Sequence, residues 1–153
     1  MSEALFPLFA NLHNRQVLVV GGGVVALRKV AALKAAGALV RVGAIELCNE
    51  LLTQFEKAEI EFIPGRFQEH WLDDVWLVVA ATDDLLVNRA IASAAEVRRL
   101  FVNVVDDAEL SSYQVPSIIN RGQLQIAISS AGAAPMLARH IREKLEAQFD
   151  ESY

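Results

Sequence analysis

An α/β fold built on a parallel sheet is predicted by three observations. Helical and strand-like patterns alternate from residue 16 onward. Five short apolar runs rich in β-branched residues precede residue 106. The first of these, in QVLVVGGGVVALRK (residues 16–29), passes through three glycines straight into a helix-forming stretch. The spacing predicts strands at Gln16–Val20, Leu39–Val42, Ile60–Ile63, Trp76–Ala80 and Leu100–Val104, and VWLVVAA (residues 75–81) reads as a strand buried on both faces. Helices are expected over Val24–Ala36, Leu47–Lys57 and Leu85–Val97. In the first, Ala26, Val30 and Leu33 form an inward stripe, Arg28, Lys29 and Lys34 face elsewhere, and Gly37 is a stop signal.

Size and composition narrow the function classes. A chain of 153 residues suits one domain with a small appendage. The single cysteine, Cys48, cannot form an intrachain disulfide, and Met1 leads into no signal-like segment, so a cytoplasmic setting is expected. The longest apolar run, Val17–Leu27, contains three glycines and falls short of the ~20 residues that span a bilayer, so no membrane partner is expected. The net charge is −5 and the basic residues are scattered, which argues against nucleic acid. His13, His70 and His140 lie far apart with no ligand-spaced neighbours, so no metal site is expected.

The glycine loop carries the first chemistry. In the pattern Gly-x-Gly-x-x-Ala, Gly21 permits the tight turn, Gly23 lets backbone approach a pyrophosphate, and Ala26 is small enough for close helix–strand packing. The helix N-terminus, at Val24 and Val25, supplies oriented N–H groups. This makes the sheet Rossmann-like and the expected cofactor NAD. Ligands of such sheets bind outside the carboxyl ends of the strands. That singles out Gly43-Ala44-Ile45-Glu46, Ala81-Thr82-Asp83-Asp84 and Asp106-Asp107 besides the glycines. Glu46 is the candidate for the adenosine ribose, or else an N-terminal charge of the next helix. Arg41 lies within a strand rather than after it, which puts NAD ahead of NADP. Thr82, Asp83 and Asp84 read as a helix cap that can also touch a nucleotide. Asp106 and Asp107 are either turn formers or a catalytic acid beside the nicotinamide.

After residue 107 the pattern changes. Tyr113–Ile119 and Gln123–Ile128 are strand-like runs joined at Asn120, Arg121 and Gly122, a hairpin tip, and Pro135 opens a last helix whose apolar face is Leu137, Ile141 and Leu145. The expected division is a nucleotide-binding domain over 1–112 and a hairpin-plus-helix segment over 113–153. The open edges and apolar face of that segment predict a homodimer, the alternative being that these elements fold back on their own sheet. Between hairpin and helix, Ser129-Ser130-Ala131-Gly132-Ala133-Ala134 is a small-residue loop suited to carboxylates, with Arg139 and His140 on the following turn.

Taken together these segments resemble the precorrin-2 dehydrogenase/sirohydrochlorin ferrochelatase module of siroheme synthases. The carriers are FPLF at residues 6–9, VVGGGVVALRK from Val19, AATDD at residues 80–84, NVVDDAELSSYQVPSIINRG from Asn103 and ISSAGAAPMLARHIREKLE from Ile128. The resemblance implies two reactions in one site. NAD⁺ takes hydride from precorrin-2 to give sirohydrochlorin, and Fe²⁺, a substrate, then enters the macrocycle with loss of two pyrrole protons. It implies that Asp106 is the acid/base residue, with Asp107 a turn or supporting residue. Nucleotide contacts are implied at Val24, Val25, Ile45 and Glu46, and substrate contacts at Ser130, Gly132 and Asn103. The hairpin and last helix correspond to a dimerisation region.

The chain also departs from that family. Gly43-Ala44-Ile45 stands where Val-Ala-Pro is common, and Ala133-Ala134 where Thr-Ser is common. The family continues past the position of Tyr153 into a further helical segment, and in some members into a methyltransferase domain, so a minimal or truncated form is expected. The competing expectations are a regulatory NAD-sensing module and a dehydrogenase of some small alcohol or acid. The latter lacks a Tyr/Lys or His/Arg set to polarise its substrate.

Overall fold

The structure, a computed structural model, describes residues 3–152. The chain groups into two units, one over residues 9–113 and the other formed by residues 3–8 with 114–152.

In the first unit β1 (Gln16–Val20), β2 (Leu39–Ala44), β3 (Glu61–Pro64), β4 (Leu77–Ala80) and β5 (Phe101–Val104) form one sheet in the order β3-β2-β1-β4-β5, every neighbouring pair parallel. The order reverses between β1 and β4, where a ligand crevice opens in sheets of this kind. Helices α1 (Val24–Ala35), α2 (Asn49–Glu56) and α3 (Leu85–Val97) make the crossovers. Side-chain alternation along the central strands decides the layers. Val17, Val19, Leu77 and Val79 pack with Ala26 and Val30 of α1 and Leu51 of α2. Leu18, Val20, Val78 and Ala80 pack with Ile91, Ala92 and Ala95 of α3. Because both faces are covered, Val17–Val20 of β1 and Leu77–Ala80 of β4 are buried on both faces, while the start of the expected strand is corrected: Trp76 is exposed and precedes β4.

Two features were not foreseen. A single 3₁₀ turn at Glu69–Leu72 brings Trp71 under the sheet, where its ring lies against Gly43 so closely that a Cβ there would overlap it. This accounts for glycine at position 43. The second helix starts at Asn49, not Leu47, with Cys48 as the residue preceding it, so Glu46 lies outside the helix start and does not cap it.

The loop after β5 covers the edge of the sheet without adding a strand. The Val102 and Val104 N–H groups donate to the hydroxyls of Ser112 and Ser111, each at 2.9 Å, and the Ser112 N–H donates back to the Val102 carbonyl at 2.8 Å. Two side chains thus replace a neighbouring backbone.

In the second unit β6 (Ser117–Arg121) and β7 (Leu124–Ile128) form an antiparallel hairpin against which α4 (Pro135–Gln148) packs. The expected strand from Tyr113 is corrected: the Tyr113 side chain packs into the core of the first unit, and pairing begins at Ser117, just after Pro116. The tip is also corrected, from Asn120-Arg121-Gly122 to Gly122-Gln123, because Arg121 still pairs with Leu124. On α4 the buried residue is Ala138, whereas Met136, Leu137 and Ile141 are exposed. Among the described residues no helix is long and apolar enough to cross a membrane, and no group of three His, Cys, Asp or Glu side chains could hold a metal ion.

Candidate functional site

Ten of the twelve residues singled out in the sequence lie in the first unit, at or just below the carboxyl ends of its strands. The strand tips are laced together there. The Gly21 N–H donates to the Gly43 carbonyl at 2.9 Å, Ala81 to Val20 at 2.8 Å, Val105 to Ala80 at 3.0 Å and Gly65 to Ala44 at 2.9 Å. The ladder therefore continues beyond the strands and fixes the rim on which the loops stand.

The glycine loop divides by what surrounds each residue. Gly21 has φ +129°, a conformation that side chains rarely adopt, and a Cβ on it would overlap the Ala81 carbonyl. A Cβ on Gly22 would overlap the carbonyl of Glu46, while the Gly22 carbonyl itself accepts from the Cys48 N–H at 2.7 Å. Nothing lies within 4 Å of the space a Gly23 Cβ would fill. Protein thus crowds the first two glycines, and the third opens outward. Gly23 precedes α1 and provides no side-chain cap, and the first turn of α1 carries no acidic residue. The N–H groups of Gly22, Gly23, Val24 and Val25 take no backbone partner among the described residues. Val24 is 67 % exposed. Unpartnered donors at the positive end of a helix dipole, with clear space before them, fit a pyrophosphate.

At the tip of β2, Ile45 and Glu46 are exposed and the Glu46 carboxylate has no partner among the described residues, so it is available to ribose hydroxyls. Arg41 is committed to the rear of the same strand. Its guanidinium holds Asp74 at 2.9 Å and Glu61 at 2.9 Å, and the hydrogen bond to Arg41 holds the Asp74 carboxyl below the usual carboxylate range.

The tip of β4 is a dense knot of hydrogen bonds. Asp84 caps α3, its Oδ1 accepting from the N–H groups of Leu86 and Val87 at 2.9 and 3.3 Å. The Thr82 hydroxyl donates to Oδ1 of Asn88 at 2.6 Å and accepts from the Asp84 N–H at 3.2 Å. Nδ2 of Asn88 returns to the Thr82 carbonyl at 3.1 Å. Asp83, between them, is exposed and free of partners among the described residues. Asn88 was missed in the sequence, although one polar residue on the apolar face formed by Ile91, Ala92 and Ala95 is a readable signal.

At the tip of β5 two adjacent carboxylates part ways. Asp107 is a turn former: its side chain accepts from the Leu110 N–H at 3.1 Å, its N–H donates to the Val104 carbonyl at 3.0 Å, and its carbonyl accepts from the Ser111 hydroxyl at 2.7 Å. Asp106, which the turn forces into the left-handed region at φ 63°, is exposed and has no partner among the described residues. Asn103 lies below the tip, 9 % exposed, and its amide donates to the Tyr113 carbonyl at 3.2 Å, tying down the loop that follows. Burial raises the Tyr113 hydroxyl well above its ordinary range.

Ser130 and Gly132 belong to the second unit. The Ser130 hydroxyl accepts from the Ala134 N–H at 3.0 Å, and Ala131 and Gly132 have φ 55° and 81°, which turns the loop into α4. A depression of about 540 Å³ in the first unit lies at the opposite end of the sheet, lined by Leu39, Phe55, Glu59, Glu61 and Phe62, and contains no candidate residue. Two carboxylates and no helix N-terminus make it unsuited to a phosphate.

A parallel sheet with a bare glycine loop at its switch point and free carboxylates at the neighbouring tips defines a nucleotide-binding α/β protein of the dinucleotide class. Comparison with known proteins agrees. A family model described as "Putative NAD(P)-binding" matches residues 8–117, and one described as "Sirohaem biosynthesis protein central" matches residues 121–148. The solved structure of SirC, precorrin-2 dehydrogenase, superposes with a TM-score of 0.82 at 32 % identity, over 97 % of this chain and 73 % of that one. A siroheme synthase of Xylella fastidiosa is 55 % identical over 99 % of this chain, and one of Photorhabdus laumondii 51 % identical over 95 %. The chain belongs to the siroheme synthase/precorrin-2 dehydrogenase family. It spans about a third of the length of these curated relatives, 32 % and 31 %.

Proposed function

We propose that this chain oxidises precorrin-2 to sirohydrochlorin at the expense of NAD⁺, with Asp106 as the acid/base residue. The observation that carries the reading is the contrast at the tip of β5: the Asp107 carboxylate accepts from the Leu110 N–H within its own turn, while Asp106 is held in a left-handed backbone conformation with its carboxylate free among the described residues. NAD⁺, when bound, supplies the hydride acceptor. The N–H groups from Gly22 to Val25 would hold its pyrophosphate, and Glu46 would accept from its ribose. The Asp106 carboxylate would take up the proton that the macrocycle loses on oxidation. The commitment of Arg41 to Asp74 and Glu61, together with a free Glu46, supports NAD over NADP, since a carboxylate repels a 2′-phosphate. Ser130, Gly132 and Asn103 are proposed on the tetrapyrrole side.

The same carboxylate suits a second step, insertion of Fe²⁺ into sirohydrochlorin, because two pyrrole N–H protons must leave as the ion enters. A role confined to sensing nucleotide gives the free Asp106 no use. Exposed Met136, Leu137 and Ile141 on α4 support residues 113–153 as a dimerisation segment, to be tested by sedimentation of the wild type against Leu137→Glu.

The test is incubation with precorrin-2 and NAD⁺ while NADH and the sirohydrochlorin spectrum are followed. Asp106→Asn keeps the left-handed conformation, which asparagine tolerates, and should lose about 10²–10⁴-fold in turnover while NADH affinity is kept. A folded wild type that binds NADH yet makes no sirohydrochlorin would overturn the proposal. Unchanged turnover in the variant would move the acid/base role elsewhere.

A further inference from the structure

We propose that Asn88 is a positioning residue of the dinucleotide site, acting through Thr82 at the switch point of the sheet; the inference rests on the dinucleotide reading of the crevice. Asn88 sits in the first turn of α3 only 5 % exposed, among apolar neighbours, where an asparagine is costly unless both ends of its amide are paired. Both ends go to one residue. Oδ1 accepts from the Thr82 hydroxyl at 2.6 Å and Nδ2 donates to the Thr82 carbonyl at 3.1 Å.

Helix capping does not require this arrangement, because Asp84 already caps α3. What the clamp does is take the side chain and carbonyl of Thr82 out of play and fix its peptide. The N–H groups of Thr82 and Asp83 are left with no partner among the described residues. The preceding residue, Ala81, is the one whose carbonyl abuts Gly21, so the orientation of residue 82 is tied to the wall of the glycine loop. Strand β4 is also the neighbour of β1 on the far side of the reversal, the place where a dinucleotide crosses the sheet. Asn88 therefore sets the floor of the crevice without touching its occupant.

The test is a double-mutant cycle read in NADH affinity, with the melting temperature measured in parallel. Asn88→Ala, which removes both bonds, is expected to weaken NADH about tenfold, Thr82→Val, which removes only the hydroxyl bond, to weaken it less, and the double variant to be no weaker than Asn88→Ala, because it removes nothing further from the clamp. Thr82→Ser, which keeps the hydroxyl, should bind like the wild type. Should Asn88→Ala not fold, Asn88→Asp keeps the volume and the acceptor for the Thr82 hydroxyl while losing the donor to the Thr82 carbonyl, and an intermediate loss of affinity is expected. A fall in melting temperature with unchanged NADH affinity, or losses that multiply in the double variant, would overturn the clamp alone. A folded wild type that does not bind NADH would overturn the dinucleotide reading and the clamp with it.

Discussion

The starts of α1 and α3 stand on neighbouring strands of one sheet, yet they are finished in opposite ways. At α3 three side chains serve the backbone: Asp84 caps the first turn, Thr82 supports Asp84, and Asn88 holds Thr82. At α1 Gly23 precedes the helix without a cap and the donors of the first turn are left open. A cap stabilises a helix by ~1 kcal/mol, and the uncapped start of α1, following a glycine with clear space before it, leaves donors that suit an anionic group. The difference teaches that two similar loops at one crevice divide the work: one leaves its backbone donors open, the other uses its side chains to satisfy its own backbone.

The contrast can be broken at its most exposed point. Gly23→Asp would give α1 the kind of start that α3 has. Gly23 has an extended backbone, φ −96° and ψ −163°, that aspartate adopts readily, so the fold should be kept or gain about a few tenths of a kcal/mol. A carboxylate in the phosphate space should cost about a hundredfold or more in NADH affinity, read by titration. Gly22→Ala attacks the protein side of the loop instead: its Cβ would overlap a backbone carbonyl, so the melting temperature should fall by the equivalent of about 3 kcal/mol. Asp84→Ala should cost only about 1 kcal/mol in denaturant unfolding and leave NADH affinity within about twofold, because this cap serves the helix.

The smallest effect is expected at the rear of the sheet. Asp74 has its carboxyl lowered from 3.8, chiefly by the hydrogen bond to Arg41. A carboxylate depressed on folding stabilises the native state above its unfolded value and loses that contribution as pH falls through the folded value. Arg41→Gln should therefore reduce stability slightly at neutral pH and flatten its fall on acidification. NADH and NADPH affinities should both stay unchanged, since this guanidinium is held by Asp74 and Glu61.

Much of this was legible in the sequence because the parallel sheet is covered on both sides. Val17 to Val20 read as a strand by composition alone, and the glycines after it announce the turn. The hairpin was misjudged at both ends, since Tyr113 has strand character but its ring packs with the first unit, and Arg121 has turn character but keeps its partner Leu124. Strand-tip reasoning expected Glu46, Thr82 and Asp106 beyond the carboxyl ends of the strands, and they lie there. It could not separate Asp106 from Asp107, because what distinguishes them is a set of bonds from Leu110 and Ser111. The roles of Asn88, Ser111 and Ser112 were hidden for the same reason: each depends on a partner that only the fold brings near.

Those two serines have a consequence for life at high protein concentration. An open sheet invites extension by any extended chain that can complete its ladder, the route by which fibrils begin. Along β5 the donors that such a chain would need, those of Val102 and Val104, already face hydroxyls from their own loop. The opposite margin, β3, offers only four residues and ends in Pro64, which has no N–H to give. Ser111→Ala with Ser112→Ala should therefore shorten the lag time of aggregation under mild heating, a readout on which the chemistry of the crevice has no bearing.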